Sequence, residues 1–271
     1  MRHGLCVASI GTWADPRNVV ALAEEAEAAG WEALLYWDHL AFVWGQPSAD
    51  PWVTLAAVGA RTSSLLLGTN VTPLPRRRVH VLAHQVATLD ILTGGRVVFG
   101  AAIGGKPDEF TAFGEPADAR ERAAMLDEGL ELLRALWSGE KVDHHGRHYT
   151  VDGVELRPRP VQERVPIWIG GNSPPAVRRA ARHDGWSADT TNMEGMARSP
   201  GEVAASVEAI GALRGGLEGF DVVVMGHVAP GDRETPAAYA EAGATWWLEN
   251  VHDGRGSADE MRALVRAGPP A

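Results

Sequence analysis

The stretch Trp37-Asp38-His39-Leu40 sets an acid beside an imidazole. At the end of a strand, adjacent side chains leave in opposite directions, so one can fix backbone or a ligand group while the other faces a pocket. His39 is the residue type that gives or takes a proton near neutral pH; a helix-capping aspartate beside a surface histidine is the reading without function. A second acid, Glu109, follows the glycine-rich run "GAAIGGKPDEF". There Gly100, Gly104 and Gly105 allow a flat ligand close to the backbone. Glu109 itself reads as a group at a pocket mouth or as an ordinary charge at a helix start. In "IGGNSPP", Gly170, Gly171 and Asn172 lead into Ser173, an N-cap type. Free N–H groups at such a helix start suit a phosphate or carboxylate, and a plainly capped helix has the same spacing. Finally, "LLLGTNVTPLP" begins as an apolar strand, stops at Gly68, passes Thr69, Asn70 and Val71, and meets Pro73 and Pro75. A bulge there would push backbone toward whatever the strand end faces. "HHGRH", residues 144–148, fits no standard metal-ligand spacing, so no metal is expected.

These motifs need a frame that brings strand ends together. Strand-like runs fall at His3–Ile10, Glu32–Trp37, Ser64–Thr69, Arg96–Ala102, Pro166–Gly171, Gly185–Asp189, Asp221–Ala229 and Ala244–Val251, with helical segments between them. Asp15-Pro16 and Asp50-Pro51 are N-cap and first-turn pairs, and Gly30 is a helix stop. Leu126, Leu130, Leu133 and Trp137 form one helical stripe. Eight strands, each followed by a helix, is the arithmetic of an α/β (β/α)8 TIM barrel, in which function gathers on the loops after the strands. An open doubly wound sheet is the alternative, but "SIGTWADP" after the first strand is no dinucleotide fingerprint. Residues at about 140–165, with turn signals and short β-like runs, read as a hairpin-bearing insertion before the fifth strand. With no fixed repeat and no linker, residues 1–271 read as one domain. Trp13, Phe42, Trp44 and the insertion are expected to shape the pocket. Trp246 and Trp247 must face opposite sides of the last strand, one toward helices and the other toward the pocket mouth.

A net charge of −10 over 271 residues argues against general nucleic-acid binding, although Arg76 to Arg78 would make a local basic patch. Cys6 is the single cysteine; it can form no intramolecular disulfide and suits a reducing cytoplasm. No apolar run approaches the ~20 residues of a membrane span, and the N-terminal apolar stretch is too short for a signal peptide.

Taken together, "WDHL", "DPWVTLAAVGARTSSLLLGTNVTPLPRRR", "ATLDILTGGRVVFGAAIGG", "DEFTAFGE" and "PIWIGGNSPPAVRRAARHDGW" resemble the bacterial luciferase-like monooxygenase family, whose members use FMN or the deazaflavin coenzyme F420. The resemblance implies a non-proline cis peptide at Asn70–Val71, behind the central ring of the cofactor. It implies a cofactor site built from Asp38, Thr69, Asn70, Val71, Gly104, Gly170, Gly171, Asn172 and Ser173, with the last four lining ring and tail. It makes His39 the proton-handling residue near the reactive ring carbon and sets Glu109 by the substrate. Two departures stand out: the chain is short in its C-terminal half, where several members hold the phosphate, and Val79 replaces the usual proline after the arginine run. The expected protein is a cytoplasmic oxidoreductase acting on a small-molecule substrate, by hydride transfer with coenzyme F420 or by monooxygenation with reduced FMN, the former slightly favoured. A separate reductase and a second copy of the chain are the expected partners. The competing classes are a non-catalytic flavin-binding barrel and a metal-dependent hydrolase or isomerase; for the latter, "SIGTW" lacks the histidines.

Overall fold

The computed structural model describes residues 1–192 and 194–270. Its strands are β1 (Arg2–Val7), β2 (Ala33–Tyr36), β3 (Leu66–Thr69), β4 (Thr72–Pro73), β5 (Val97–Ala102), β6 (Lys141–His145), β7 (Thr150–Glu155), β8 (Ile167–Gly170), β9 (Gly185–Ala188), β10 (Asp221–Gly226) and β11 (Trp246–Val251). Its helices are α1 (Pro16–Ala28), α2 (Pro51–Gly59), α3 (Val79–Thr93), α4 (Asp108–Thr111), α5 (Ala119–Trp137), α6 (Pro174–Ala180), α7 (Pro200–Arg214), α8 (Glu234–Glu241) and α9 (Ala258–Arg266). Parallel pairing runs β1-β2-β3-β5-β8-β9-β10-β11 and returns to β1, which closes an eight-stranded TIM barrel. β4 is a two-residue resumption of the third strand, paired with β5 at Thr72–Ala101. The antiparallel hairpin β6–β7 is the insertion before β8.

Helices cover the outside of the barrel, so its strands are buried on both faces and read as nearly unbroken apolar runs. Every residue of β2 and β11 is buried. The helices start where short polar side chains satisfy their first free N–H groups: Asp15, Asp50 and Asp118 accept from the first turn, and Ser199 and Ser257 form reciprocal capping boxes with Glu202 and Glu260. Each cap is worth about 1 kcal/mol.

Strand alternation divides the core in two. Most apolar side chains point outward under the helices, while Cys6, Ala33, Leu35, Val98, Trp168, Val223, Trp246 and Leu248 fill the barrel interior. The N-terminal end is plugged by Trp168 and Trp246, whose indole N–H groups both donate to Asp221 at 3.0 and 3.1 Å; Arg2 lies 3.9 Å above the Trp246 ring. Trp246 therefore sits at the end opposite the pocket mouth, correcting the sequence expectation, because its register beside Arg2 and Val223 places it at the bottom. Trp247 faces outward against Tyr239. Trp13 is also corrected: it is fully buried in the outer core, with its carbonyl accepting from the Tyr36 hydroxyl, and does not shape a pocket.

Two glycines explain why the apolar run of the third strand breaks. A Cβ on Gly68 would lie 2.1 Å from the Val98 carbonyl, and one on Gly100 would lie 1.9 Å from the Thr69 carbonyl. β3 and β5 approach so closely there that no side chain fits between them. Above this contact the chain bulges, and β4 begins only at Thr72.

Candidate active site

The C-terminal mouth of the barrel is organised by a chain of charges rooted in the arginine run. β2 ends at Tyr36 and delivers Asp38 and His39. Asp38 is buried, and its carboxylate accepts from Arg76 Nη2 at 2.8 Å, Arg77 Nη2 at 2.6 Å and Arg77 Nε at 3.2 Å. Arg77 also reaches Asp50, the cap of α2. Pro75 lies in the 3-10 turn Leu74–Arg76, which follows the bulge and aims Arg76 inward. The guanidinium of Arg76 then joins Asp38 to Glu109. This corrects the reading of Arg76 to Arg78 as a basic surface patch for two of the three: the Arg76 side chain is 5% exposed and Arg77 is four-fifths covered, while Arg78 is exposed.

Glu109 stands in the first turn of α4, and its side chain is 1% exposed. It accepts from His39 Nδ1 at 3.1 Å, from the Leu40 amide at 3.0 Å and from the Ala41 amide at 3.3 Å, in addition to Arg76. Ala41 adopts a left-handed φ of 56°, unusual without glycine, in the turn that presents both amides to one carboxylate. Burial opposes ionisation of Glu109, but His39, Arg76 and the amides outweigh it and hold the carboxyl down at about 2. The ionised carboxylate can only accept, so His39 must carry its hydrogen on Nδ1. That leaves Nε2 as the ring nitrogen turned away from the carboxylate; among the described residues it has no hydrogen-bond partner. The ring is held edge-on by Trp37 and Trp44, with centroids 5.9 and 5.0 Å away. Phe42 and Phe113 meet 5.9 Å apart and are exposed.

The Asn70–Val71 peptide bond at the strand bulge is cis. Asn70 turns its amide into the barrel, where Oδ1 accepts from Ser187 Oγ at 2.7 Å and Nδ2 donates to Cys6 Sγ at 3.5 Å. Trp37 Nε1 donates to the same sulfur at 3.2 Å. Burial pushes the Cys6 thiol up to about 11, so it acts here as a neutral acceptor and not as a nucleophile. Thr69 Oγ1 donates to the Gly100 carbonyl at 3.1 Å and accepts from Thr72, bracing the bulge from within the wall. Val71 lies against Gly170, where a Cβ would come within 2.9 Å of its side chain. The bulge and the end of β8 are thus in contact through the Val71 side chain on Gly170.

Other residues singled out from sequence are placed less simply. Asp38 is occupied by arginines, so it acts on the mouth through Arg76. Gly104 packs on the Phe110 ring, where a Cβ would approach to 2.6 Å. The Gly171 carbonyl accepts from Trp186 Nε1, and both ends of the Asn172 amide bond to the Asp189 backbone. Ser173 caps α6 through the Ala176 amide, and the two residues between are prolines without N–H groups. The helix start therefore lacks the free donors that made it an anion site in sequence. Sequence reasoning missed Arg76, Ser187 and Asp189. The available signal for Arg76 was its position directly after the bulge; Ser187 and Asp189 follow only from strand parity. Asp189 opens to solvent at the mouth but is crowded by protein, and burial raises its carboxyl above the usual range. The histidine-rich hairpin is bound elsewhere, His144 to Glu128 and His145 to Asp152. No group of three or more metal-ligating side chains forms among the described residues.

The model of the luciferase-like monooxygenase family matches residues 4–267. The chain belongs to this family. Its relatives include an F420-dependent glucose-6-phosphate dehydrogenase of Microbacterium testaceum, 36% identical over 62% of this chain and 50% of that protein. An F420-dependent hydroxymycolic acid dehydrogenase of Mycobacterium tuberculosis is 36% identical over 72% of this chain and 54% of its own length. The chain thus spans about half the length of the curated relatives it matches. An F420-dependent secondary alcohol dehydrogenase, solved with an F420-acetone adduct, has the same fold at a TM-score of 0.84, covering 99% of this chain and 98% of that one at 17% identity. In this luciferase-like chain, as among such barrels generally, the features grouped above sit at the C-terminal face. No helix among the described residues is long and apolar enough to cross a membrane.

Proposed function

We propose that this luciferase-like chain is an oxidoreductase that uses coenzyme F420 to interconvert an alcohol and a carbonyl compound. The observation that carries the reading is the His39–Glu109 pair, set at the barrel mouth near the Asn70–Val71 bulge. The names of the curated relatives favour the deazaflavin over FMN. The residues fit a flat heterocycle: the Val71 side chain packs on Gly170 as an apolar wall, and Asn70 is already bonded to Ser187 and Cys6. Asn70, Val71, Gly170, Gly171 and Asn172 would hold the ring, with Asp38 and Thr69 fixing the backbone around it.

Bound there, coenzyme F420 supplies the ring carbon that accepts or returns a hydride. The chain supplies the rest. Glu109, ionised at neutral pH, keeps the His39 proton on Nδ1 and stabilises the imidazolium when it forms. His39 Nε2 takes the hydroxyl proton of an alcohol, or returns it to a carbonyl oxygen in the reverse direction. Trp37 and Trp44 fix the ring and shed water from it, and Arg76 prevents the Glu109 carboxylate from turning away.

Reduced FMN with oxygen is the competing chemistry, and a separate reductase would then regenerate the cofactor. Exposed Val53 on α2 and Leu92 on α3 support pairing of two copies. The lone buried thiol supports a cytoplasmic setting. Fluorescence titration with coenzyme F420 and with FMN tests the reading. Saturable binding of the deazaflavin, with reduction of its chromophore by an alcohol, is expected; binding of neither cofactor overturns it.

A further inference from the structure

Three buried polar atoms at the mouth have no partner among the described residues, and the site described above does not use them. They are Asn250 Oδ1, His252 Nδ1 and His227 Nδ1. Trp246 and Leu248 of β11 point into the barrel, so the alternation brings Asn250 and then His252 to the same inner face. On the neighbouring β10, Val223 and Met225 point inward, and His227 follows in the same phase. The two imidazoles confirm this by meeting at a centroid distance of 5.9 Å, edge to face. Asn250 and His252 are 2% and 4% exposed. The Asn250 amide nitrogen is fixed by Thr191 Oγ1 at 2.7 Å, which leaves its oxygen as the free end. Buried polar atoms ordinarily have partners, and three without any on two adjacent strand ends point to a group that arrives from outside.

The charge around them narrows that group. Arg255 is the cation beside the cluster, and it is already taken: Nη1 donates to Glu249 Oε1 and the Asn250 carbonyl at 2.5 Å each, and Nη2 donates to the Val228 carbonyl at 2.7 Å. Burial, and the neighbouring Arg255, lower both histidines, His252 to about 4. Each imidazole is therefore uncharged; the His227 ring is already hydrogen-bonded to the Asn192 backbone, so each ring leaves Nδ1 open at the cluster, and Asn250 adds an acceptor. Among the described residues, a phosphate or carboxylate would meet no free cation at this cluster. A hydroxyl, which both gives and receives, matches all three atoms.

We propose that Asn250, His227 and His252 form a subsite for the hydroxyl groups of an uncharged, polyhydroxylated substrate, and that this subsite selects against phosphorylated ones. The proposal rests on the reading of this mouth as the oxidoreductase site and names the substrate class for it. A site built to hydrogen-bond hydroxyls discriminates strongly against analogues lacking them; about tenfold weaker binding is expected for each hydrogen bond removed.

The test uses the full chain with isotope-labelled histidine, the ring signals of His227 and His252 being assigned from H227Q and H252Q. Probes are glucose, myo-inositol, glucose 6-phosphate and cyclohexane. Shifts of both ring signals with the neutral polyols, at least about tenfold weaker with the phosphate ester and absent with cyclohexane, are expected. N250L should weaken the polyol response about tenfold while the far-ultraviolet circular dichroism stays native. Silent histidine signals with every polyol, or a phosphate ester that binds as well as glucose, overturn the proposal. Coenzyme F420 fluorescence is titrated on the same samples. Polyol shifts without cofactor binding sink the oxidoreductase reading alone, and cofactor binding with silent histidines sinks the subsite alone.

Discussion

Glu109→Gln isolates the charge that organises the mouth. The side chain is 1% exposed and holds four donors: His39, Arg76 and two main-chain amides. Glutamine keeps the shape but turns an N–H toward groups that are themselves donors. The carboxyl is lowered from 4.5 to about 2 against the opposing effect of burial, a difference worth about 3 kcal/mol of folding stability. The sign is that of a depressed acid. The stabilisation is complete above the unfolded value of 4.5 and fades as pH falls through that value toward 2. Urea unfolding of both proteins at pH 7, 5, 4 and 3 should show E109Q less stable by about 3 kcal/mol at pH 7 and 5. The gap should narrow to roughly half of that at pH 3. A gap that stays constant down to pH 3 would mean that the glutamine fails for steric reasons, and the electrostatic account of the dyad would be wrong.

Four further outcomes follow from the same geometry. His39→Ala should lower turnover about 10²–10⁴-fold with the cofactor dissociation constant unchanged, read by stopped-flow absorbance, and added imidazole should restore part of the rate. Arg76→Ala leaves Asp38 and Glu109 buried without the cation between them and should cost about 3–5 kcal/mol in chemical denaturation, whereas Arg76→Lys should recover only part because it cannot span both carboxylates as a fork. Gly100→Ala forces a methyl against the Thr69 carbonyl; a loss of about 1–3 kcal/mol should accompany weakened cofactor binding, since the bulge must shift. Cys6→Ser should leave turnover within about threefold, because a thiol held up to about 11 is neutral at working pH and serves only to accept from Asn70 and Trp37 and donate to Met225.

The barrel was legible because its signals are local. Asp-Pro caps, apolar runs of strand length and Gly30 at a helix end are each fixed by neighbours in sequence, and alternation alone then fixes what faces inward. The site was legible in part. His39 and Glu109 could be named as residue types suited to proton chemistry, but nothing in their 70-residue separation shows that they touch. Arg76 was misread for the same reason: an arginine run looks like a surface until the two acids that bury it are brought from other strands. Trp246 was misplaced because alternation gives the face of a strand and not the height along it; height depends on register with β1 and β10. The anion site at Ser173 was read from the capping residue, while the two prolines after it, equally visible, remove the donors it needed.

The two ends of the barrel solve one problem in different ways. At the bottom, Asp221 is partly buried between two indole N–H groups, which satisfy it without a full opposing charge, and desolvation raises its carboxyl above the usual value. At the mouth, Glu109 is buried more deeply still but meets a guanidinium, an imidazole and two amides, and its carboxyl falls to about 2. Burial is common to both, so the difference in sign comes from the partners. An acid that protonates easily can plug a core, but it could not keep a histidine's proton on one chosen nitrogen through a reaction cycle. Only the second arrangement gives a fixed charge, and it needs residues from three separate loops: Leu40 and Ala41 after β2, Arg76 after the bulge, and Glu109 after β5. That convergence is what distinguishes the mouth from the plug, and it is why the chemistry of this chain is argued from the one end and its stability from the other.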